Sequence, residues 1–303
     1  MNEQSVPVDD ATMQRWTELA LSIRTAVHTV ANVAIPLKGS AFAMVDDLFP
    51  AESVSQWARE GLRSSVDHLI MWANHAVPLQ LFDGQVVTHQ GFRWSFTLMR
   101  SAIEGASQSL WLSRSPDPGV CLARLIRMVR HDLREERLAC IALGRNVTLI
   151  EERATRHETA AQSLTGHGTA VSSLPSMIDL VRLAAEAASL DPAQQEANWR
   201  ICSAAAHGKD WAIRELQVLG NPVEWRPGQF HLSGHPDPQK LTRILEDAVT
   251  LLSAGVIEYL VKSGVNPIKE SRRSMLKAAR ETPQKDGGIH VEYVALRFET
   301  DNI

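Results

Sequence analysis

Long stretches with apolar residues at helical spacing, each brought to a stop by proline, leave this chain few folds to choose from. The clearest stretch runs from about Pro238 to Lys262, where Leu241, Leu245, Ala248, Val249 and Leu252 recur on one face. The same reading predicts helices over about Asp10–Ala34, ending before Pro36, and Glu52–Ala76, ending before Pro78, with a polar turn at Asp46–Pro50 between them. After the turn signal Asp83-Gly84 a third helix is expected from about His89 to Ser113, stopped by Ser115-Pro116-Asp117-Pro118. A fourth follows over about Gly119–Leu143, extended through Glu151–Ala161. Pro175–Ser189 makes a fifth. Asp191-Pro192 opens a sixth, with a capping aspartate, proline at the first helical position and Gln194 at the capping-box position, and Gly208 closes it.

Two stretches break the pattern. From Trp211 to Ser233, short apolar runs separated by Gly220-Asn221-Pro222 and Arg226-Pro227-Gly228 point to a small β-hairpin or an irregular insertion. Beyond Gly264 the chain turns charged, and His290–Phe298 alternates enough to form a strand if it finds an edge, or is disordered. The expected architecture is therefore mainly α: a helical bundle over 1–264, open to subdivision at the small-residue stretch near 163–174, and a charged C-terminal tail over 265–303, expected to be partly disordered. No repeat or sustained heptad pattern favours a solenoid or a long coiled coil.

Composition narrows the classes of function only a little. With 44% hydrophobic residues and a formal charge of -4 over 303 residues, the chain can bury a core without staples and carries no global charge suited to nucleic acid. Cys121, Cys140 and Cys202 are odd in number and sit within apolar helical patterns, which reads as reduced thiols of a cytoplasmic protein. The first ten residues lack the basic start and apolar core of a secretory signal. The longest apolar run, around Ala248–Val261, contains Ser253 and Glu258 and is too short to span a bilayer.

Three helical faces carry polar groups in patterns that chemistry can use. On the sixth helix Ala197, Arg200, Ala204 and His207 lie within about 40° of Ala193, so Arg200 and His207 share a small-residue stripe on which a neighbouring helix is expected to pack closely. On the third helix Arg93, Thr97, Arg100, Gln108 and Trp111 lie within about 40° of Glu104, opposite Leu98, Met99, Ala102, Ala106 and Leu110. On the fourth, Arg124, Arg127, Arg130, His131, Arg134 and Arg137 fall within roughly 140°, a basic ridge about 20 Å long that could follow a phosphate backbone, flanked by Asp132, Glu135 and Glu136.

The run from Arg200 to His207 resembles the arginine and histidine signature of the HEPN superfamily, whose members are helical bundles. The Arg100–Glu104 helix ahead of a serine-rich helix ending in His207-Gly208 also resembles uncharacterised bacterial proteins related to abortive-infection proteins. Ile201 stands where the family often has a polar residue. The resemblance implies a metal-independent endoribonuclease of a phage-defence or toxin system, acting on RNA, with a site that many members assemble across a homodimer. It further implies His207 as general acid or base and Arg200 as stabiliser of the charged phosphorane, with Glu104 and Arg100 in support and no cofactor.

Each feature also has a structural reading. His207 before Gly208 can simply complement the helix dipole, Arg100 and Glu104 can be an ion pair one turn apart, and the arginine ridge can be a solvated face. A non-catalytic scaffold held by a Glu-Arg-His network, or a nucleic-acid-binding module using the ridge, therefore stay open as alternatives. His68 and His75 lack a recognised metal spacing, and Thr165–Thr169 lacks the lysine of a phosphate loop.

Overall fold

The computed structural model describes residues 8–77, 93–165, 173–231 and 234–281. The Asp83-Gly84 turn, the first residues of the expected third helix, most of the small-residue stretch near 163–174 and the expected strand His290–Phe298 lie outside them. Eleven helices are found among the described residues: α1 (Asp10–Asn32), α2 (Ala41–Leu48), α3 (Val54–Ala76), α4 (Arg93–Ser113), α5 (Pro118–Ala142), α6 (Thr148–Thr165), α7 (Met177–Ala187), α8 (Pro192–Ala206), α9 (Asp210–Glu215), α10 (Pro238–Lys262) and α11 (Pro267–Glu281). The fold is mainly α, a helical bundle with a small β insertion.

The helix starts have a shared chemistry. α5, α8 and α10 each begin at an Asp-Pro pair, with Asp117, Asp191 and Asp237 accepting from backbone N–H groups of the first turn and the proline occupying a position whose missing N–H costs nothing. Ser53 caps α3 in the same way, and Asp46 of α2 reinforces that start by accepting from the Val54 N–H at 2.6 Å. The polar turn expected at Asp46–Pro50 is thus mostly the end of a short helix, whose Phe42 and Val45 reach the core. The expectation missed α2 because eight residues are too few to show a helical period.

Helix α4 runs through the centre, packed against α3, α10, α7 and α8. Its approach to α3 depends on two glycines: a Cβ placed on Gly105 would stand 2.6 Å from the Gly61 carbonyl oxygen, and one on Gly61 would stand 2.8 Å from that of Gly105. Backbone meets backbone there, so neither position tolerates a side chain without the helices moving apart. One apolar cluster extends from Trp16 on α1 through Trp72, Phe96 and Ile103 to Leu252 and Tyr259 on α10.

The β insertion is smaller than its predicted span. Residues 210–215 are helical, and four short strands follow: β1 (Gln217–Leu219), β2 (Val223–Arg226), β3 (Gln229–His231) and β4 (Gly234–Pro236). β2 and β3 form an inner antiparallel pair turning at Gly228, which has φ +72°, and β1 pairs with β4 outside it. Part of the segment read as a charged tail is also ordered: α11 lies along α1, burying Ser274 and Ala278, with Asn32 donating to Glu270 at 2.9 Å. Apart from Glu270 its charged residues Lys269, Arg272, Arg273, Lys277 and Arg280 are exposed, which explains why hydropathy alone reads it as a polar tail.

Helices α5 and α6 form a hairpin at one side. The first half of α5 is anchored in the core by Leu122, Leu125, Ile126 and Val129, whereas beyond Leu133 it is exposed. α6 is pinned at Glu52, just before α3, whose carboxylate accepts from Arg153 at 2.7 Å and lies 3.0 Å from His157 Nε2. The His157 ring also leans on Phe49. No described helix is long and apolar enough to cross a membrane.

Candidate functional site

The polar face of α4 meets the C-terminal half of α8. Arg100 Nε donates to Glu104 Oε1 at 3.0 Å, and the same oxygen accepts from Trp199 Nε1 at 2.9 Å. Arg100 also lies over the Trp199 indole, 5.8 Å from its centroid, and its Nη1 reaches His207 Nε2 at 3.3 Å. Four side chains from two helices therefore form one chain of contacts. Arg100 and Glu104 keep 28% and 24% of their side-chain surface, and His207 is exposed, so solvent reaches the cluster from the histidine end.

Local structure explains the placement. Arg100 and Glu104 are one turn apart on the part of α4 that the core does not cover. His207 caps the C-terminus of α8, held by its N–H bond to the Ser203 carbonyl, while Gly208 at φ +69° takes the left-handed conformation that ends the helix. A guanidinium has only donors, so the Arg100 contact requires His207 Nε2 as an acceptor, with the ring proton on Nδ1. At 3.3 Å it is at the long end of hydrogen bonding and easily exchanged.

Arg200 is not part of this cluster. Its side chain is 53% exposed, pairs with Glu196 at 2.7 Å, and makes no hydrogen bond or ion pair with Arg100, Glu104 or His207. Glu196 also pairs with Arg182 of α7; the hydrogen bond from Arg200 is the main reason its carboxyl is held below the usual range. The close-packed groove expected around Arg200 and His207 is not found. Of the predicted stripe Ala204 alone is buried; the other residues that α8 buries, Gln195, Asn198, Cys202 and Ala205, lie on the nearly opposite side, with Trp199 at its edge. Asn198 donates to Asp247 of α10 at 2.7 Å, and burial pushes that carboxyl up. The amide residues Gln195 and Asn198 mark the inner face, and an apolar-pattern reading does not select them.

The face opposite Glu104 on α4 is buried as expected, but so are Ser107, Ser109, Ser113 and Trp111. The polar surface is therefore narrower than the sequence suggests, centred on Arg100 and Glu104. Trp199 is the member that sequence reasoning missed. Its signal was present: a lone large indole among small residues on α8 must pack on something, and its N–H needs an acceptor.

The five arginines of α5 do not form a free ridge. Arg124 turns inward, donates to the Trp111 carbonyl and stacks on that indole at 5.1 Å, and burial lowers its pKa from the ordinary guanidinium range. Arg130 and Arg137 face Glu158 and Glu151 of α6 at 3.3 and 2.9 Å. Arg127 and Arg134 have neither an acidic partner nor an inward bond like that of Arg124 among the described residues.

Other polar candidates have local roles. His68 Nδ1 contacts the Ser64 carbonyl at 2.6 Å, and His75 lies edge-on to Trp94, 4.6 Å between ring centroids. The three cysteines are free, and burial drives the Cys202 thiol far up, which suits a packing residue rather than a nucleophile. No family model, curated protein or solved structure matches this chain.

Proposed function

We propose that the cluster where α4 meets α8 is a phosphodiester site and that the protein is a metal-independent endoribonuclease, of the kind found in phage-defence or toxin systems. The observation that carries this reading is the contact of Arg100 with both Glu104 and His207, a fixed cation beside an accessible imidazole whose acceptor nitrogen faces it. In this mechanism His207 Nε2 takes the proton of a ribose 2′-hydroxyl. The 2′-oxygen bonds to phosphorus, the bond from phosphorus to the 5′-oxygen breaks, and the leaving oxygen is protonated from water. Arg100 shifts from His207 to the phosphoryl oxygens as charge builds on them, and Glu104 with Trp199 sets its position. Arg100 takes the part that the resemblance gives to Arg200, while Arg200, exposed on α8, is left to contact the RNA strand further along.

The test is incubation of the purified protein with single-stranded RNA in excess chelator, followed by analysis of the product ends. Cleavage should yield 2′,3′-cyclic phosphate and 5′-hydroxyl termini at an undiminished rate. Activity that vanishes with the chelator, or 5′-phosphate termini, refutes the reading.

A second reading is favoured by Trp199. Its N–H and Arg100 saturate a single carboxylate oxygen, the arrangement of a polar lock that fixes α8 on α4. Under it the protein is a non-catalytic scaffold, Arg100→Gln and Glu104→Gln lower the melting temperature, and no RNA is cleaved.

A further inference from the structure

The face that α5 turns toward α6 is a cleft of about 460 Å³, within the range of small-molecule pockets. Its floor is apolar, formed by Leu133, Ile150 and Leu174. Its charged groups are of two kinds. Arg130 and Arg137 are taken up by Glu158 and Glu151 across the cleft. Arg127 and Arg134 are not; they stand two turns apart on α5, with His131 between them on the same face. The Nε of Arg127 is shielded from water and has no acceptor, an arrangement that costs free energy unless something else supplies one.

We infer that this cleft binds a phosphate monoester carrying an apolar or aromatic body, and does so independently of the α4–α8 site. Four guanidinium groups face two carboxylates, a surplus of two positive charges, which matches the charge of a phosphate monoester near neutral pH. The planar forks of Arg127 and Arg134 offer paired N–H groups to the phosphate oxygens above His131. The body of the ligand lies on Leu133, Ile150 and Leu174. A nucleic-acid strand fits less well, because Glu151 and Glu158 on the facing wall oppose a polyanion and Arg124 is withdrawn to Trp111.

Titration calorimetry on the full chain with phenyl phosphate tests the inference, with inorganic phosphate, phenol and a single-stranded oligoribonucleotide as the other arms. Phenyl phosphate should bind saturably, at least about tenfold more tightly than inorganic phosphate, and phenol should give no measurable heat. Arg134 is exposed, so Arg134→Gln should keep the melting temperature while weakening phenyl phosphate at least about tenfold, and His207→Ala should leave that affinity unchanged. Absence of saturable phenyl phosphate binding, equal affinity for inorganic phosphate, or unaltered affinity in folded Arg134→Gln overturns it. So does binding of the oligoribonucleotide alone, which returns the α5 arginines to nucleic acid.

Discussion

Helix α4 and the α5–α6 hairpin both carry arginines at helical spacing, yet they use them in opposite ways. On α4 the surroundings are closed by α3, α7, α8 and α10, so Arg100 has little room and is held by a carboxylate, an indole and an imidazole together. On the outer half of the hairpin, Arg130 and Arg137 each meet a single glutamate and stay about half exposed, and Leu138, Ile141, Leu143 and Leu149 near its tip face water. The same residue type is thus a positioned group in one place and a loosely held charge in the other, and the difference is set by what packs around it.

The largest contrast should come from glycine. Gly105→Val forces α3 and α4 apart at a backbone contact and should cost about 3 kcal/mol or prevent folding, whereas Gly144→Ala, in open space on the hairpin turn at φ +64°, should cost about 1 kcal/mol from backbone strain alone. Urea melts of the two variants check this. Equal losses would mean that the α3–α4 crossing is not the tight part of the fold.

Next in size is the polar cluster. Glu104→Ala strands the Trp199 N–H and the Arg100 guanidinium and should cost about 1 to 3 kcal/mol, while Arg200→Ala should stay within about 0.5 kcal/mol because its partner is reached from the surface. A marked loss in Arg200→Ala would place that arginine in the packed interface after all.

The hairpin should respond to pH through His157 and Glu52, which hold α6 to the start of α3. Burial, ahead of the opposing pull of Glu52, holds His157 below its ordinary 6.5, so the folded state takes up its proton less readily than the unfolded chain. The stability tied to neutral His157 is complete above pH 6.5 and is lost as the pH falls from there toward the folded value. For Glu52, burial acts upward but is outweighed by hydrogen bonds from Arg153 and Trp57, leaving its carboxyl below the ordinary 4.5. Its contribution is intact above 4.5 and lost as pH falls through the lowered value. The protection factors of the α6 amides, taken relative to intrinsic exchange at each pH, should therefore fall first on acidification below about pH 6.5, ahead of those of α4. The smallest effect belongs to Arg137→Gln, expected within about 0.5 kcal/mol in a thermal melt.

The helices were legible because their punctuation is chemical. Asp191-Pro192 and Gly208 mark the ends of α8 as the structure has them, and Pro238 to Lys262 is α10 as read from its apolar spacing. What could not be read was orientation on small-residue helices. α8 has alanines on several faces, so apolar pattern does not say which face is inside, and the burial of Gln195 and Asn198 placed Trp199 rather than Arg200 against α4. Likewise the α5 arginines fall on one arc in sequence, but α6 supplies the two glutamates that pair with them, and a contact across 14 or 28 residues leaves no local trace.

The central claim, that His207 acts on RNA rather than merely capping a helix, is tested most directly by measuring RNA cleavage and thermal melting on the same preparation of His207→Ala. The account predicts a melt within about 1 kcal/mol of the parent chain and a cleavage rate lowered by about a hundredfold or more. Cleavage unchanged in His207→Ala, or no cleavage by the parent chain at all, would contradict it.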